Sequence, residues 1–207
     1  MLEIFISAFV TFFVVIDPVG IAPVFASLTE GANARHKRLM AIKGTLIAVA
    51  ILLFFAAVGE PFLSALGITL DALKVAGGVM LFLIALEMVF EKRTERRENS
   101  AERSHQEHLE DISVFPIAIP LLAGPGAIAS IILLMASHEG NYLAQGTILA
   151  AIGATLLLTL FAFLAASKLM AVMGNTVSTI ISRVLGIILA AFASQFIMDG
   201  IRNFFLA

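Results

Sequence analysis

The chain has 207 residues, of which 60% are apolar and only 14% charged, a balance that a soluble domain with a polar surface does not sustain. Its 13 basic and 15 acidic residues leave a net charge of −2 that names no partner. The absence of cysteine excludes disulfides, thiolate metal sites and thiol catalysis together.

An all-α polytopic membrane protein follows, since about 20 apolar residues are needed per spanning helix. Met1-Leu2-Glu3 carries no basic n-region and the apolar run outlasts a signal-peptide core, so the start reads as an uncleaved first span. Six spans are predicted, at 4–28, 42–60, 73–90, 113–136, 146–168 and 183–205. Between the second and third, Pro61 to Gly67 is apolar but too short to cross, which predicts an interfacial or re-entrant piece; Lys168 to Thr179 is its later counterpart. The 17 Phe, with one Tyr and no Trp, give weak interfacial anchoring and read mostly as lipid-facing.

The polar stretch from Glu91 to Asp111 divides the chain into a first three-helix unit (1–91), a charged linker (92–112) and a second three-helix unit (113–207). Its Glu and Arg spacing permits a short exposed helix with i,i+4 pairs. His105 and His108 lie there without a third metal ligand, so they read as solvated. Basic residues cluster at the first connection (Arg35, Lys37, Arg38, Lys43), in the linker, and around the fifth connection (Lys168, Arg183), with only Lys74 and Arg202 opposite. The positive-inside rule then places the linker in the cytoplasm and both termini outside, in the cell inner membrane.

Two spans are interrupted. Asp17-Pro18-Val19-Gly20 puts a carboxylate and helix breakers inside the first, and Ala123-Gly124-Pro125-Gly126 interrupts the fourth. Free backbone at membrane depth is tolerated only where protein or a water-filled cavity satisfies it, so the two breaks are predicted to face each other and form a binding site. Asp17 is a candidate coupling group or an acceptor for an ammonium or cation, because an ionised carboxylate near the midplane costs roughly 2.5–3.5 kcal/mol and needs compensation. It is equally a good N-cap for a half-helix beginning at Pro18. Gly20, Gly124 and Gly126 let backbone approach a small ligand, and Pro18 and Pro125 remove competing intrahelical bonds; close helix packing is the other reading of the glycines. Glu87 and Asp199, near the ends of the third spans, read as interfacial. Ser130, Ser194 and Gln195 read as helix-packing groups that hydrogen-bond across helices or line a path, and Thr45, Thr155 and Thr159 as back-bonded to their own helices.

At an offset of 107, Val14–Phe25 aligns with Leu121–Ile132, pairing Pro18, Ile21 and Ala22 with Pro125, Ile128 and Ala129. Gly67 falls on Gly174 at the same offset, and with two further residues Lys74 to Gly77 meets Arg183 to Gly186. Three spans per half is an odd number, which makes this an inverted-topology repeat with broken helices in spans 1 and 4.

With Asp17-Pro18-Val19-Gly20 in the first span, Pro116, Pro120 and Leu122 to Ile128 in the fourth, and six spans around a charged loop, the chain resembles the MarC family of bacterial and archaeal inner-membrane proteins along its whole length. Ile21 departs from that pattern, standing where members often carry a polar residue. The resemblance, SnatA-like in its implication, points to a secondary transporter of small neutral amino acids: glycine, alanine and, by extension, serine or threonine. It implies a proton, or alternatively sodium, as coupling ion, with Asp17, Pro18, Gly20, Ala123, Gly124, Pro125 and Gly126 at the site. No cofactor, metal or nucleic acid is expected; homo-oligomerisation stays open, as does an exporter or passive channel for small solutes. An intramembrane enzyme is disfavoured, because the sequence has no Gly-x-Ser-Gly with a histidine in a span, no His-Glu-x-x-His and no second midplane aspartate.

Overall fold

The structure is a computed structural model that describes residues 1–92 and 111–206, with side chains at all of these except 170–175 and 206. The linker residues 93–110, with the expected exposed helix and both histidines, lie outside the described residues. The described chain is helical: α1 (Leu2–Ile16), α2 (Pro18–Leu28), α3 (Ala34–Ala65), α4 (Leu70–Val89), an irregular proline-rich segment (Ser113–Leu122), α5 (Pro125–Ala136), α6 (Tyr142–Leu164) and α7 (Ala166–Leu206). Five stretches are long and apolar enough to cross a membrane, and a sixth is supplied if the proline-rich segment and α5, bent by 56° at their junction, count as one broken span. Five spans, or six with the bent pair counted as one, thus fall close to where hydropathy puts them.

Two expectations about the connections are corrected. Pro61 does not begin a re-entrant piece, because α3 runs through it to Ala65. Helix α3 stops instead at a Schellman turn in which Gly67, at φ 71°, lets Ile68 N–H reach Leu63 O and Gly67 N–H reach Ser64 O, both at 3.0 Å. Likewise, Lys168 to Thr179 is not a separate interfacial piece but part of α7, whose backbone is helical from Ala166 to Leu206.

The first span is the most enclosed, with 56% of its window buried against at most 39% in the other four. It packs on α6 through α1 and on α7 through α2, while α3 lies against the proline-rich segment, α5 and α6. Outward faces carry large apolar side chains, among them Leu53, Phe54, Leu83, Phe161, Ile187 and Phe204, as lipid contact requires. The closest helix pair is α4 with α7. It runs antiparallel: Asp71 O lies where a side chain on Gly200 would go, Ala193 O and Ile197 crowd Gly78, Ala85 O crowds Gly186, and Arg183 pairs with Glu91 at 2.5 Å. Small residues let the two backbones approach along their whole contact, the main source of helix association where lipid removes the hydrophobic drive.

Candidate functional site

The first break is a single residue wide. Asp17 ends α1 by donating its N–H to Phe13 O and starts α2 by accepting Gly20 N–H on Oδ1 at 3.0 Å, with its backbone in the left-handed region at φ 58° and ψ 66°. Asp and Asn enter that region more readily than other side chains, and Pro18 at the first helical position costs no hydrogen bond. The predicted cap is therefore present. Ile21 N–H reaches Asp17 O at 3.0 Å, so α2 resumes at once.

The carboxylate is 1% exposed and its second partner comes from far along the chain. Ser182 Oγ, on α7, lies 3.2 Å from Oδ1 and 3.1 Å from Oδ2 and donates to the carboxylate. One turn earlier Ser178 Oγ donates to Val19 O at 3.1 Å. These two serines pin the broken backbone to α7, and sequence reasoning passed over both. The signal available was their spacing of four, which puts two hydroxyls on one face of an apolar helix. Gly20 is buried at the same point, and a Cβ there would overlap Asp17 Oδ2 and come within 2.5 Å of Ser182 Oγ. Glycine is what allows the carboxylate to curl back over its own helix.

The second break differs. Before it, Phe115 and Ile119 are extended (φ −125° and −124°), as residues preceding proline are biased to be, and the peptide bonds to Pro116 and Pro120 are cis. The wide turns are closed by Ile117 N–H to Ile112 O at 3.3 Å and Ala123 N–H to Ala118 O at 2.8 Å. The irregularity predicted at 124–126 thus extends back to Ser113. Gly124 is the N-cap of α5 and Pro125 its first residue, the same grammar as Asp17-Pro18, but no side chain caps this end.

The second break touches the first span just ahead of that span's own break. A Cβ on Gly126 would lie 3.1 Å from Val15 Cγ1, two residues before Asp17, and 2.7 Å from Ile84 Cδ1 on α4. Asp17, Pro18, Gly20, Ala123 and Gly126 are buried, Gly124 is half-buried and Pro125 is exposed. Gly126 carries a packing duty here whatever it does for a ligand. Four cavities bounded by described residues lie away from these glycines.

Other polar groups sort as follows. Ser130, one turn after Gly126, is fully buried and its hydroxyl has no partner among the described residues; Thr45 is likewise unpartnered among them, so the expected back-bond is absent there. Thr155 and Thr159 do back-bond, to Ala151 O and Thr155 O. Ser194 bonds Ala190 O in its own helix, and Gln195 bonds Asp199 at 2.9 Å within α7 rather than across helices. Glu87 and Asp199 are half-buried. At the start of the fourth span Asp111 accepts from Ser113 N–H at 2.9 Å, from Ser113 Oγ, and from Lys43 Nζ at 3.2 Å. The Ser113 bonds first, then the lysine, hold its carboxyl down at about 2. Among the described residues no group of three or more His, Asp or Glu is arranged to hold a metal.

The sequence model of MarC family integral membrane proteins matches residues 2–205. The UPF0056 membrane protein MJ1677 of Methanocaldococcus jannaschii is 38% identical over 205 residues, covering 98% of both chains. YvbG of Bacillus subtilis is 33% identical over 99% of this chain and 97% of its own, and YhcE of Escherichia coli 34% over 98% and 94%. No solved structure matches. A match that runs through both breaks and every span places the chain in the MarC family of multi-pass integral membrane proteins.

Proposed function

We propose that the protein is a secondary transporter of small neutral amino acids, glycine and alanine first and serine or threonine by extension, with its site where the breaks of spans 1 and 4 meet. The observation that carries this is the pairing of two unlike helix starts: one closed by Asp17, the other left open at Gly124. An amino acid zwitterion in low dielectric needs partners for a carboxylate and an ammonium at once. The open amino terminus of α5 offers unpaired N–H groups and a positive dipole end to the carboxylate. Backbone carbonyls of the irregular segment, and Asp17 on release from Ser182, suit the ammonium.

A proton is the coupling ion in this reading, with Asp17 as its carrier and sodium as the alternative. The two halves act as inverted repeats, supported by their common order of one broken span followed by two continuous helices, and by the antiparallel pairing of α4 with α7. The distribution of basic residues supports a cytoplasmic linker with both termini outside the inner membrane.

Proteoliposome flux tests the reading. Saturable counterflow of labelled glycine or alanine is expected; linear flux without counterflow would replace the carrier by a passive channel.

A further inference from the structure

Where α2 ends, α3 begins and α6 passes into α7, there is a cavity of about 310 Å³ that transport does not use. Its inner wall is Phe25 stacked on Phe163, with ring centroids 4.4 Å apart and both side chains 2% exposed, extended by Leu164. Its rim carries Lys37 and Arg38, the first half-buried and the second exposed. Thr29 also lines it, but its hydroxyl donates to Phe25 O at 2.8 Å, so the side-chain donors left for a ligand are the two cations and the Ser167 hydroxyl.

Orientation alone does not explain this arrangement. A positive-inside signal needs charge near a span end, not two adjacent cations over an apolar-walled cavity. Nor are they matched internally. Lys43 pairs with Asp111 and Arg183 with Glu91, whereas neither Lys37 nor Arg38 has an ion pair among the described residues. The nearby Glu30 is exposed and makes none among the described residues.

Depth selects the ligand. Leu28 closes α2, Leu164 closes α6 and Ala34 opens α3, so the cavity sits level with the ends of three spans, where headgroups begin. We propose that it binds an anionic phospholipid, with Lys37 and Arg38 on the headgroup phosphate and the glycerol and upper acyl chain along Phe25, Phe163 and Leu164. Basic pockets between spans recognise lipid phosphates in this way. Free phosphate shares the headgroup chemistry but has nothing to offer the aromatic wall.

The test uses purified full-length protein titrated with phosphatidylglycerol, phosphatidylcholine or inorganic phosphate, read by thermal unfolding and by lipid retained in native mass spectrometry. Phosphatidylglycerol should raise the unfolding temperature saturably, and phosphatidylcholine and inorganic phosphate should not. The Lys37→Gln/Arg38→Gln double variant should lose retained phosphatidylglycerol on the order of tenfold. Lys37→Arg/Arg38→Lys, which keeps the charge, should retain it, as should Lys74→Gln/Arg202→Gln at the opposite end of the bundle. Equal stabilisation by both lipids, or undiminished retention in the Gln pair, would overturn the site. Displacement of the lipid by inorganic phosphate at matched concentration would overturn the lipid as its occupant. Should the Gln pair not fold, the lipid comparison on the unmodified chain decides.

Discussion

Replacing Ser182 by alanine removes the hydroxyl that reaches both oxygens of the Asp17 carboxylate, at 3.2 and 3.1 Å, in a site closed to water. A hydrogen bond to a charged acceptor contributes roughly 1.5–3 kcal/mol, and one between neutral groups roughly 0.5–1.5 kcal/mol. Asp17→Asn separates the charge from the cap, because asparagine keeps an oxygen for Gly20 N–H and tolerates the left-handed backbone at φ 58°. Asp17→Ala would not, since a left-handed alanine adds about 1–2 kcal/mol of backbone strain. In a double-mutant cycle Ser182→Ala should therefore cost about 1.5–3 kcal/mol alone and about 0.5–1.5 kcal/mol on the Asp17→Asn background, a coupling of about 1–2 kcal/mol. Reversible denaturant unfolding of the four proteins in one detergent reads it. Additivity within about 0.5 kcal/mol would refute the reasoning, because Ser182 would then lie beside the carboxylate without bonding its charge. In liposomes the same Asp17→Asn protein should lose gradient-driven accumulation more than counterflow, while equal loss of both would reduce Asp17 to a cap.

Gly20→Ala drives a methyl into Asp17 Oδ2 and Ser182 Oγ and should cost about 1–3 kcal/mol by unfolding, with the Asp17 cap displaced. The neighbours Gly77 and Gly78 should behave oppositely. Alanine at 78 meets Ala193 O at 2.9 Å and Ile197 N at 3.1 Å, backbone that cannot yield, and should cost about 1–3 kcal/mol; alanine at 77 meets nothing nearer than 3.9 Å and should be neutral or gain up to about 1 kcal/mol of helix propensity. At low pH, Asp111 holds its proton less tightly when folded, at about 2, than its ordinary 3.8. Its contribution is whole above about pH 4 and is lost as the pH falls toward 2. Half-exposed, it contributes only a modest amount, so Asp111→Asn should lower the unfolding temperature slightly at neutral pH and converge with the unmodified chain as the pH falls toward 2, which flattens the acid limb.

The spans, both breaks and the Asp17 cap were legible because each is local: apolar length, Asp-Pro at a helix start and Gly-Pro-Gly all act within a few residues. What escaped was long-range. Ser182 lies 165 residues from Asp17, and a serine in an apolar helix gives no sign of its partner until the packing is known. Pro61 misleads because a proline in an apolar run reads as a helix stop, whereas α3 is stopped six residues later by the Schellman turn at Gly67. The proline-rich segment was legible only in part: proline spacing of four predicts extended residues at 115 and 119, but the wide turns between them depend on α3, which packs alongside.

The asymmetry between the breaks has a steric cause. The sequence alignment that pairs Asp17-Pro18 with Gly124-Pro125 raises the question of why the second start lacks a cap that would stabilise it by about 1 kcal/mol. The answer lies in the proline-rich segment, whose Pro120 carbonyl occupies the position of a Cβ on Gly124, at 2.5 Å, so no side chain of any kind fits. The irregular turns that bring Pro120 there thus enforce an open amino terminus on α5, while Ser130, one turn further along, keeps a buried hydroxyl without a partner among the described residues. In the first span the backbone instead folds into the left-handed region, where an aspartate closes its own helix and is held by α7. One start is satisfied within the protein and the other is kept unsatisfied by it, and in the transport reading it is the second that receives the substrate carboxylate, with Asp17 answering to Ser182 and to protons.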